Sequence, residues 1–145
     1  MGFGLGAAIG SYIATEKPVV LFTGDGSFGM NLNELATAVS CNAPVIVVIM
    51  NNGVLGMVRQ WQTLFFNKHY SNTTLCRQTD FVKLAESYGA KGIRVFNKNE
   101  VAAAFEEAKK NTKVPTLIEF IIDPEEMVYP MVKPGGTLED LIMDC

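Results

Sequence analysis

The chain has 145 residues and a mass of 15.8 kDa, which is the size of one ordinary domain. Its 48% of hydrophobic residues is too high for a disordered chain, and no apolar run reaches the roughly 18 residues that a membrane helix requires. The formal net charge is −3 and there is no basic run, so neither nucleic acid nor a membrane surface is predicted as a partner.

Strands and helices are predicted to alternate along the chain. Three apolar runs rich in β-branched residues are continuous rather than alternating, which is typical of strands buried on both faces. Asn31 and Glu34 are expected to cap the second helix. In chain order, the predicted elements are a helix over 5–14, a strand over 18–23, a helix over 32–40, a strand over 44–50, helices over 54–66 and 80–88, a strand over 91–96, a helix over 100–110 and a strand over 115–122.

This alternation predicts the fold class and the domain organisation. A βαβ series favours an α/β fold with a doubly wound parallel sheet flanked by helices. We expect residues 1–123 to form this single domain, without its first elements. Residues 124–145, which are rich in proline and glycine, are expected to form a surface tail that ends in a short helical turn near 138–143.

Charged residues are scarce in the first part of the chain, and the cysteines show no metal-binding spacing. Residues 1–58 contain only Glu16, Lys17, Asp25 and Glu34 as charged residues, which is typical of a sheet covered on both faces or of a surface that packs against another chain. The chain also starts without a strand before its first helix, so we expect it to be part of a longer protein. The three cysteines, Cys41, Cys76 and Cys145, have no CxxC spacing, and we interpret them as reduced thiols of a cytoplasmic protein without a zinc site.

Polar residues follow two of the predicted strands at the point where each strand ends. Gly24-Asp25-Gly26-Ser27 comes after the strand over 18–23, and Asn51-Asn52-Gly53 comes after the strand over 44–50. Ligands of open α/β sheets bind beyond these carboxyl ends. One carboxylate, one amide oxygen and a nearby backbone carbonyl form an incomplete set of hard oxygen ligands, which suits Mg²⁺. A diphosphate is the natural completion of that set, held also by the amides of Gly26 and Ser27.

Each of these motifs is a common turn when it stands alone. Their joint placement after successive strands favours a functional site. A dinucleotide-binding unit is the main alternative, because residues 2–7 contain GxGxxA and Asp25 follows about twenty residues later. A non-catalytic oligomerisation module is another. His69, the only histidine, lies in a polar stretch and is interpreted as solvated.

At this point the sequence resembles a known family. Gly24-Asp25-Gly26 with Asn51-Asn52 matches the GDG…NN fingerprint of thiamine-diphosphate enzymes. The segments MGFGLGAAIG (1–10), GMVRQWQ (56–62) and PMVKPGGTLEDLI (130–142) are similar to the large catalytic subunit of the acetolactate synthase (acetohydroxyacid synthase) family. The resemblance covers essentially the whole chain. Pyruvate oxidases and 2-keto-acid decarboxylases are the alternatives among thiamine-diphosphate enzymes.

The resemblance implies a set of site residues. Asp25 and Asn52 would bind Mg²⁺ through their side chains, and Val54 would bind it through its backbone carbonyl. Met57 and Trp61 match residues beside the substrate channel. The positions that match cofactor-binding residues of the family are Met1, Gly24, Asp25, Gly26, Ser27, Asn52, Val54, Gly56 and Met57.

The resemblance also implies an activity and partners. The family's enzyme is a transferase of branched-chain amino-acid biosynthesis that condenses pyruvate with a second 2-keto acid. It uses thiamine diphosphate and Mg²⁺, and the full-length enzyme also carries FAD, which this segment would not bind. Its catalytic glutamate comes from the N-terminal domain, so no catalytic residue is expected in this chain, which alone would be nearly inactive. The implied partners are the missing N-terminal and middle domains, further copies in a dimer or tetramer, and a small regulatory subunit.

Overall fold

The computed structural model describes residues 1–76 and 79–143. Cys145, predicted to be a reduced thiol, lies outside the described residues, whereas Cys41 and Cys76 are free and exposed. The helices are α1 (Phe3–Thr15), α2 (Asp25–Phe28), α3 (Leu35–Ser40), α4 (Gly56–Phe65), α5 (Phe81–Ser87) and α6 (Val101–Lys110). The strands are β1 (Val20–Gly24), β2 (Ile46–Asn51), β3 (Lys91–Val95), β4 (Thr116–Ile121), β5 (Met131–Val132) and β6 (Leu141–Ile142). None of the described helices is long and apolar enough to cross a bilayer.

Strands β1 to β4 form one parallel sheet in the order β1-β2-β4-β3. Helices α1, α3 and α5 cover one face, where Leu35, Val47 and Phe81 belong to the larger core cluster. Helix α6 covers the other face, where Ala108, Val48 and Ile118 form a second cluster. The structure thus confirms the predicted α/β fold with a parallel sheet flanked by helices on both faces.

The predicted burial of the strands is correct for the middle of the sheet and wrong at its edge. Strands β2 and β4 are buried over their first four residues. Strand β1 is an edge strand within the described chain, and the side chain of Phe22 is 66% exposed. An apolar run is therefore compatible with either position, because its burial depends on which strands lie beside it.

A side-chain hydrogen bond caps the start of α5, whereas α1, α2, α3 and α4 begin without one. The carboxylate of Asp80 accepts the amide of Lys83 at 3.2 Å and caps α5. The predicted cap of α3 is wrong, because Asn31 makes no capping bond and Glu34 instead accepts the hydroxyl of Thr37 at 2.8 Å. A 3₁₀ turn over Leu32–Glu34 precedes α3. It places the Glu34 carboxylate beside side-chain donors of Asn33 and Thr37 instead of a backbone amide of the helix start.

The tail is more ordered than its composition predicts. The expected helical turn is present only as a 3₁₀ turn over Leu138–Asp140. The residues after it form β6, which pairs with β5 in a two-stranded antiparallel ribbon. Paired strands of two residues give no periodic signal, so the sequence pattern could not indicate this ribbon.

Candidate functional site

The register of β1 and β2 brings the two predicted motifs to one edge of the sheet. Gly24 lies beside Met50 in neighbouring parallel strands, so Asp25 and Asn52 both follow strand ends at that edge. Asp25 begins the short helix α2, which the sequence pattern did not predict, and only 3% of its surface is exposed. The carboxylate and the amide therefore lie at the end of the sheet where ligands of parallel α/β folds bind.

A cavity of about 460 Å³ opens at this edge. Nine of the ten predicted site residues line it: Met1, Gly24, Asp25, Gly26, Ser27, Asn52, Val54, Gly56 and Met57. The tenth, Trp61, lines a smaller neighbouring cavity, and Met57 borders both. The i, i+4 spacing of Met57 and Trp61 on α4 explains why the two side chains meet the same region.

The loop after β2 is held in one conformation by its own side chains. Gly53 has a φ of +67°, which favours glycine, and its amide donates to Oδ1 of Asn51 at 3.2 Å. The amide of Val54 donates to Oδ1 of Asn52 at 3.2 Å. Backbone hydrogen bonds with residues 73–75 fix the chain on either side of Val54, at 2.7 Å from the Leu55 amide and 2.8 Å to the Gly53 carbonyl. The potential ligands of this loop are thus positioned in advance.

Close packing surrounds the cavity at two glycines. A Cβ atom on Gly56 would lie 2.8 Å from Nδ2 of Asn52, so only glycine leaves that amide in place. A Cβ atom on Gly26 would lie 3.0 Å from Cδ2 of Leu55. The hydroxyl of Ser27 accepts the amide of Gly2 at 3.0 Å, which brings the start of α1, and Met1 with it, to the cavity.

The donor set fits a small hard cation and a phosphate group. Asp25 supplies one charged oxygen, Asn52 supplies a neutral oxygen, and the Val54 carbonyl is the third potential ligand. A single carboxylate leaves room for the negative charge of a diphosphate. Apolar side chains such as Met1, Met50 and Met57 border the rest of the cavity, which suits the rings of an organic cofactor.

The cavity wall also includes residues that follow β4, from Ile122 into the tail, which no sequence pattern indicated. Ile122, Glu126 and Val128 line the cavity, and Gln60 of α4 lies beside them with 3% of its surface exposed. The side chain of Gln60 donates to the carbonyl of Val128 and accepts its amide, both at 2.9 Å. No sequence pattern indicated this contact, because its partners are 68 positions apart.

Comparisons with known proteins agree on the kind of site. Residues 1–120 match the family described as "Thiamine pyrophosphate enzyme, C-terminal TPP binding domain". A solved thiamine diphosphate-dependent 4-hydroxybenzoylformate decarboxylase from Rhodococcus jostii RHA1 superposes with a TM-score of 0.78 at 33% identity, over 85% of this chain and 23% of that one. These matches favour a thiamine-diphosphate site over the dinucleotide-binding alternative.

Curated relatives cover nearly the whole chain. The chain is 45% identical to a probable acetolactate synthase large subunit of Methanocaldococcus jannaschii, over 98% of this chain and 24% of that protein. It is 43% identical to acetolactate synthase isozyme 2 large subunit of Escherichia coli, over 98% of this chain and 26% of that protein. The mitochondrial acetolactate synthase catalytic subunit of Saccharomyces cerevisiae is 44% identical, over 98% of this chain and 20% of that protein. The chain thus spans about a quarter of the length of the first of these relatives.

Proposed function

The chain belongs to the family of thiamine pyrophosphate enzyme C-terminal TPP-binding domains, and from this premise we propose that it is the cofactor-binding domain of an acetolactate synthase. The observation that carries the proposal is the cavity at the ends of β1 and β2, where Asp25 and Asn52 face one space. The identities of 43% to 45% with acetolactate synthase subunits support the choice within the family.

The proposed metal site uses one charged and two neutral oxygens. Asp25 and Asn52 bind Mg²⁺ through their side chains, and Val54 binds it through its carbonyl. Backbone amides of Gly26 and Ser27 hold the diphosphate that the cation also contacts. The charge of the Asp25 carboxylate favours the cation, and the neutral Asn52 adds no repulsion toward the phosphates.

The remaining proposed roles concern the organic part of the cofactor and the substrate. Met1, Gly24 and Gly56 border the cofactor, and Met57 separates it from the neighbouring cavity that Trp61 lines. When bound, thiamine diphosphate supplies the electron sink for decarboxylation of a 2-keto acid. Apolar side chains of α4 and Val128 of the tail line that space, and the neighbouring cavity offers room for a second 2-keto acid.

The proposed parent enzyme is a cytoplasmic transferase of branched-chain amino-acid biosynthesis that condenses pyruvate with a second 2-keto acid. The length of the relatives supports further domains, one of which supplies the catalytic glutamate and another of which binds FAD. The proposal includes assembly into a dimer or tetramer and a small regulatory subunit. This chain then contributes the metal, the diphosphate anchor and one wall of the substrate site, and does not complete the reaction alone.

A 2-keto-acid decarboxylase is the second candidate, because the similar solved structure is of that class. Its identity of 33% is lower than the 43% to 45% of the acetolactate synthase subunits. The two candidates share the cofactor and the metal site. They differ in whether a second 2-keto acid or a proton is the acceptor, so product analysis of the parent enzyme distinguishes them.

Replacement of Asp25 tests the proposed site. We expect isothermal titration calorimetry to detect binding of thiamine diphosphate to the chain in the presence of Mg²⁺ and not in the presence of EDTA. Asp25→Asn removes the one charged ligand while preserving its shape, so we expect the affinity to fall by about two orders of magnitude or more.

Asp140→Asn is the matched control. Asp140 caps a 3₁₀ turn of the tail and does not line the cavity, so this variant should bind the cofactor like the unsubstituted chain. Heat of binding for NADH, or binding of thiamine diphosphate that does not depend on Mg²⁺ or Asp25, would contradict the proposal.

A further inference from the structure

A buried carboxylate lies behind the loop that follows β2. Glu119 of β4 has 2% of its surface exposed, and its two oxygens accept hydrogen bonds from different donors. Nδ2 of Asn51 donates to Oε1 at 2.7 Å, and Nε of Arg94 donates to Oε2 at 2.7 Å. Arg94 in turn donates to Oδ1 of Asp80 at 2.6 Å. The four side chains form a connected polar network across β2, β4, β3 and the start of α5.

The network satisfies the charge that it buries. A carboxylate inside a sheet is costly unless a cation and hydrogen-bond donors accompany it. The hydrogen bond from Arg94 to Glu119 raises the pKa of the guanidinium further above its ordinary value, so Arg94 accompanies the carboxylate as a cation. Glu119 thereby keeps a fixed orientation, with Oε1 directed at Asn51.

Asn51 transmits that orientation to the loop. Because Glu119 accepts the amide nitrogen of Asn51, the amide oxygen of Asn51 is directed the other way, where it accepts the amide of Gly53 at 3.2 Å. The side chain of Asn51 therefore links Glu119 of β4 to Gly53, the residue between Asn52 and Val54. Neither Glu119 nor Asn51 lines the cavity, so both would act through other residues.

We propose that Glu119 is a positioning residue for the metal site, holding the loop from Asn51 to Val54 through the side chain of Asn51 so that Asn52 and Val54 present their oxygens to one cation. This inference rests on the proposed function for the identity of the cation. The holding of the loop itself follows from the contacts of Glu119 and Asn51.

The Glu119→Gln variant tests the proposal because glutamine has only one acceptor oxygen. Its amide nitrogen would face a donor, either Asn51 or Arg94, and one of the two hydrogen bonds is lost. We expect hydrogen exchange of the Gly53 and Val54 amides, followed by NMR, to be faster by about tenfold, as loss of a hydrogen bond to a charged group predicts. At saturating thiamine diphosphate, the Kd for Mg²⁺ should rise by about 10- to 100-fold, the usual effect of losing a partner behind a metal ligand.

A double variant provides the rescue. When Asn51→Asp is combined with Glu119→Gln, the carboxylate and the amide exchange places between β2 and β4. The introduced glutamine can then donate to the introduced aspartate while still accepting from Arg94, and the aspartate still accepts the amide of Gly53. We expect the slow exchange of the loop amides to return in the double variant. Asn51→Asp alone opposes two carboxylates and should exchange fast.

Glu100→Gln is the matched control for the loss of a carboxylate. Glu100 accepts the amides of Phe96 and Asn97 at the start of α6, away from the cavity. A general loss of stability would affect all amides in both variants, whereas the proposed role changes the loop amides and the Mg²⁺ affinity in Glu119→Gln only.

Two results would overturn the proposal: loop exchange and Mg²⁺ affinity of Glu119→Gln equal to those of the unsubstituted chain, or a double variant that exchanges as fast as the single ones. Failure of the proposed function is recognised separately, since the unsubstituted chain would then bind no thiamine diphosphate with Mg²⁺. In that case the exchange measurements still decide whether Glu119 holds the loop.

Discussion

The side-chain amide of Asn52 has little free space around it, so one added carbon atom on Gly56 would change its orientation. A Cβ atom added to Gly56 would stand 2.8 Å from Nδ2 of Asn52, closer than real Cβ contacts. The contact is with the end of a side chain, which can rotate away at small cost. Gly56 thus matters less for the fold than for the direction in which Asn52 points its oxygen.

Gly56→Ala should therefore separate binding from stability. We expect the free energy of unfolding to change by less than about 1 kcal/mol. The rotated Asn52 should raise the Kd for Mg²⁺ by about tenfold at saturating thiamine diphosphate. Urea denaturation and calorimetric titration measure the two quantities.

Gly10→Ala is the matched control, because a Cβ atom on Gly10 meets nothing within 4 Å. That variant should leave the Kd unchanged and stabilise α1 by about 0.5–1 kcal/mol. An equal rise of the Kd in both alanine variants would contradict the role given to Gly56.

Helix α4 binds two different segments through two similar glutamine contacts. The buried Gln60 bonds both backbone groups of Val128 in the tail at 2.9 Å. The half-buried Gln62 bonds both backbone groups of Ser71 in the same way, at 3.1 Å. The contact of Gln60 is partly buried and that of Gln62 is exposed, so the two should differ in energy although their geometry is alike.

Truncation of the two glutamines measures this difference. Gln60→Ala leaves the amide and carbonyl of Val128 without partners beside the cavity, and we expect a loss of about 1–3 kcal/mol in the free energy of unfolding. Hydrogen exchange of the Val128 amide should be faster, and the tail should be cut earlier by protease.

Gln62→Ala is expected to cost under about 1 kcal/mol, because solvent reaches the groups that it leaves. If both variants lose the same stability, burial is not what distinguishes the two contacts, and the tail is held by other residues. Retained slow exchange at Val128 in Gln60→Ala would point the same way.

The pH range over which the whole chain stays folded follows from carboxylates that accept backbone amides. The amides of Phe96 and Asn97 lower the pKa of Glu100 below its ordinary value of 4.5. The amide of Lys83 lowers the pKa of Asp80 below 3.8, and that of Thr137 does the same for Asp140. Because folding lowers these pKa values, the carboxylates stabilise the fold fully at a pH above their ordinary pKa values. That contribution is lost as the pH falls through the lowered pKa values of the folded chain.

We therefore expect the free energy of unfolding, measured in urea, to fall as the pH drops below about 4.5 and through the lowered pKa values of these carboxylates. Glu100→Gln should reduce the steepness of that fall, because glutamine still accepts an amide but cannot be protonated. An unchanged profile in this variant would show that Glu100 does not contribute to acid unfolding.

The strands were predictable because each is recognised from neighbours in the chain. Continuous β-branched runs indicated β1, β2 and β4 to within two residues at each end. The start of α4 was predicted at Val54 but lies at Gly56, because the positive φ of Gly53 and the backbone bonds around Val54 hold those residues outside the helix. The exposed edge at β1 was not predictable, since the order of strands in a sheet depends on the path of the whole chain.

The Gly-Asp-Gly and Asn-Asn motifs could be recognised without coordinates, because a sharp turn and an oxygen donor after a strand are properties of a few adjacent residues. Their common cavity also followed from the rule that parallel strands end at one edge. The contacts of Gln60 with Val128 and of Asn51 with Glu119 each join residues 68 positions apart, and neither leaves a mark in local composition. Such contacts depend on how the elements pack in three dimensions, and for that reason they emerged only with the folded chain.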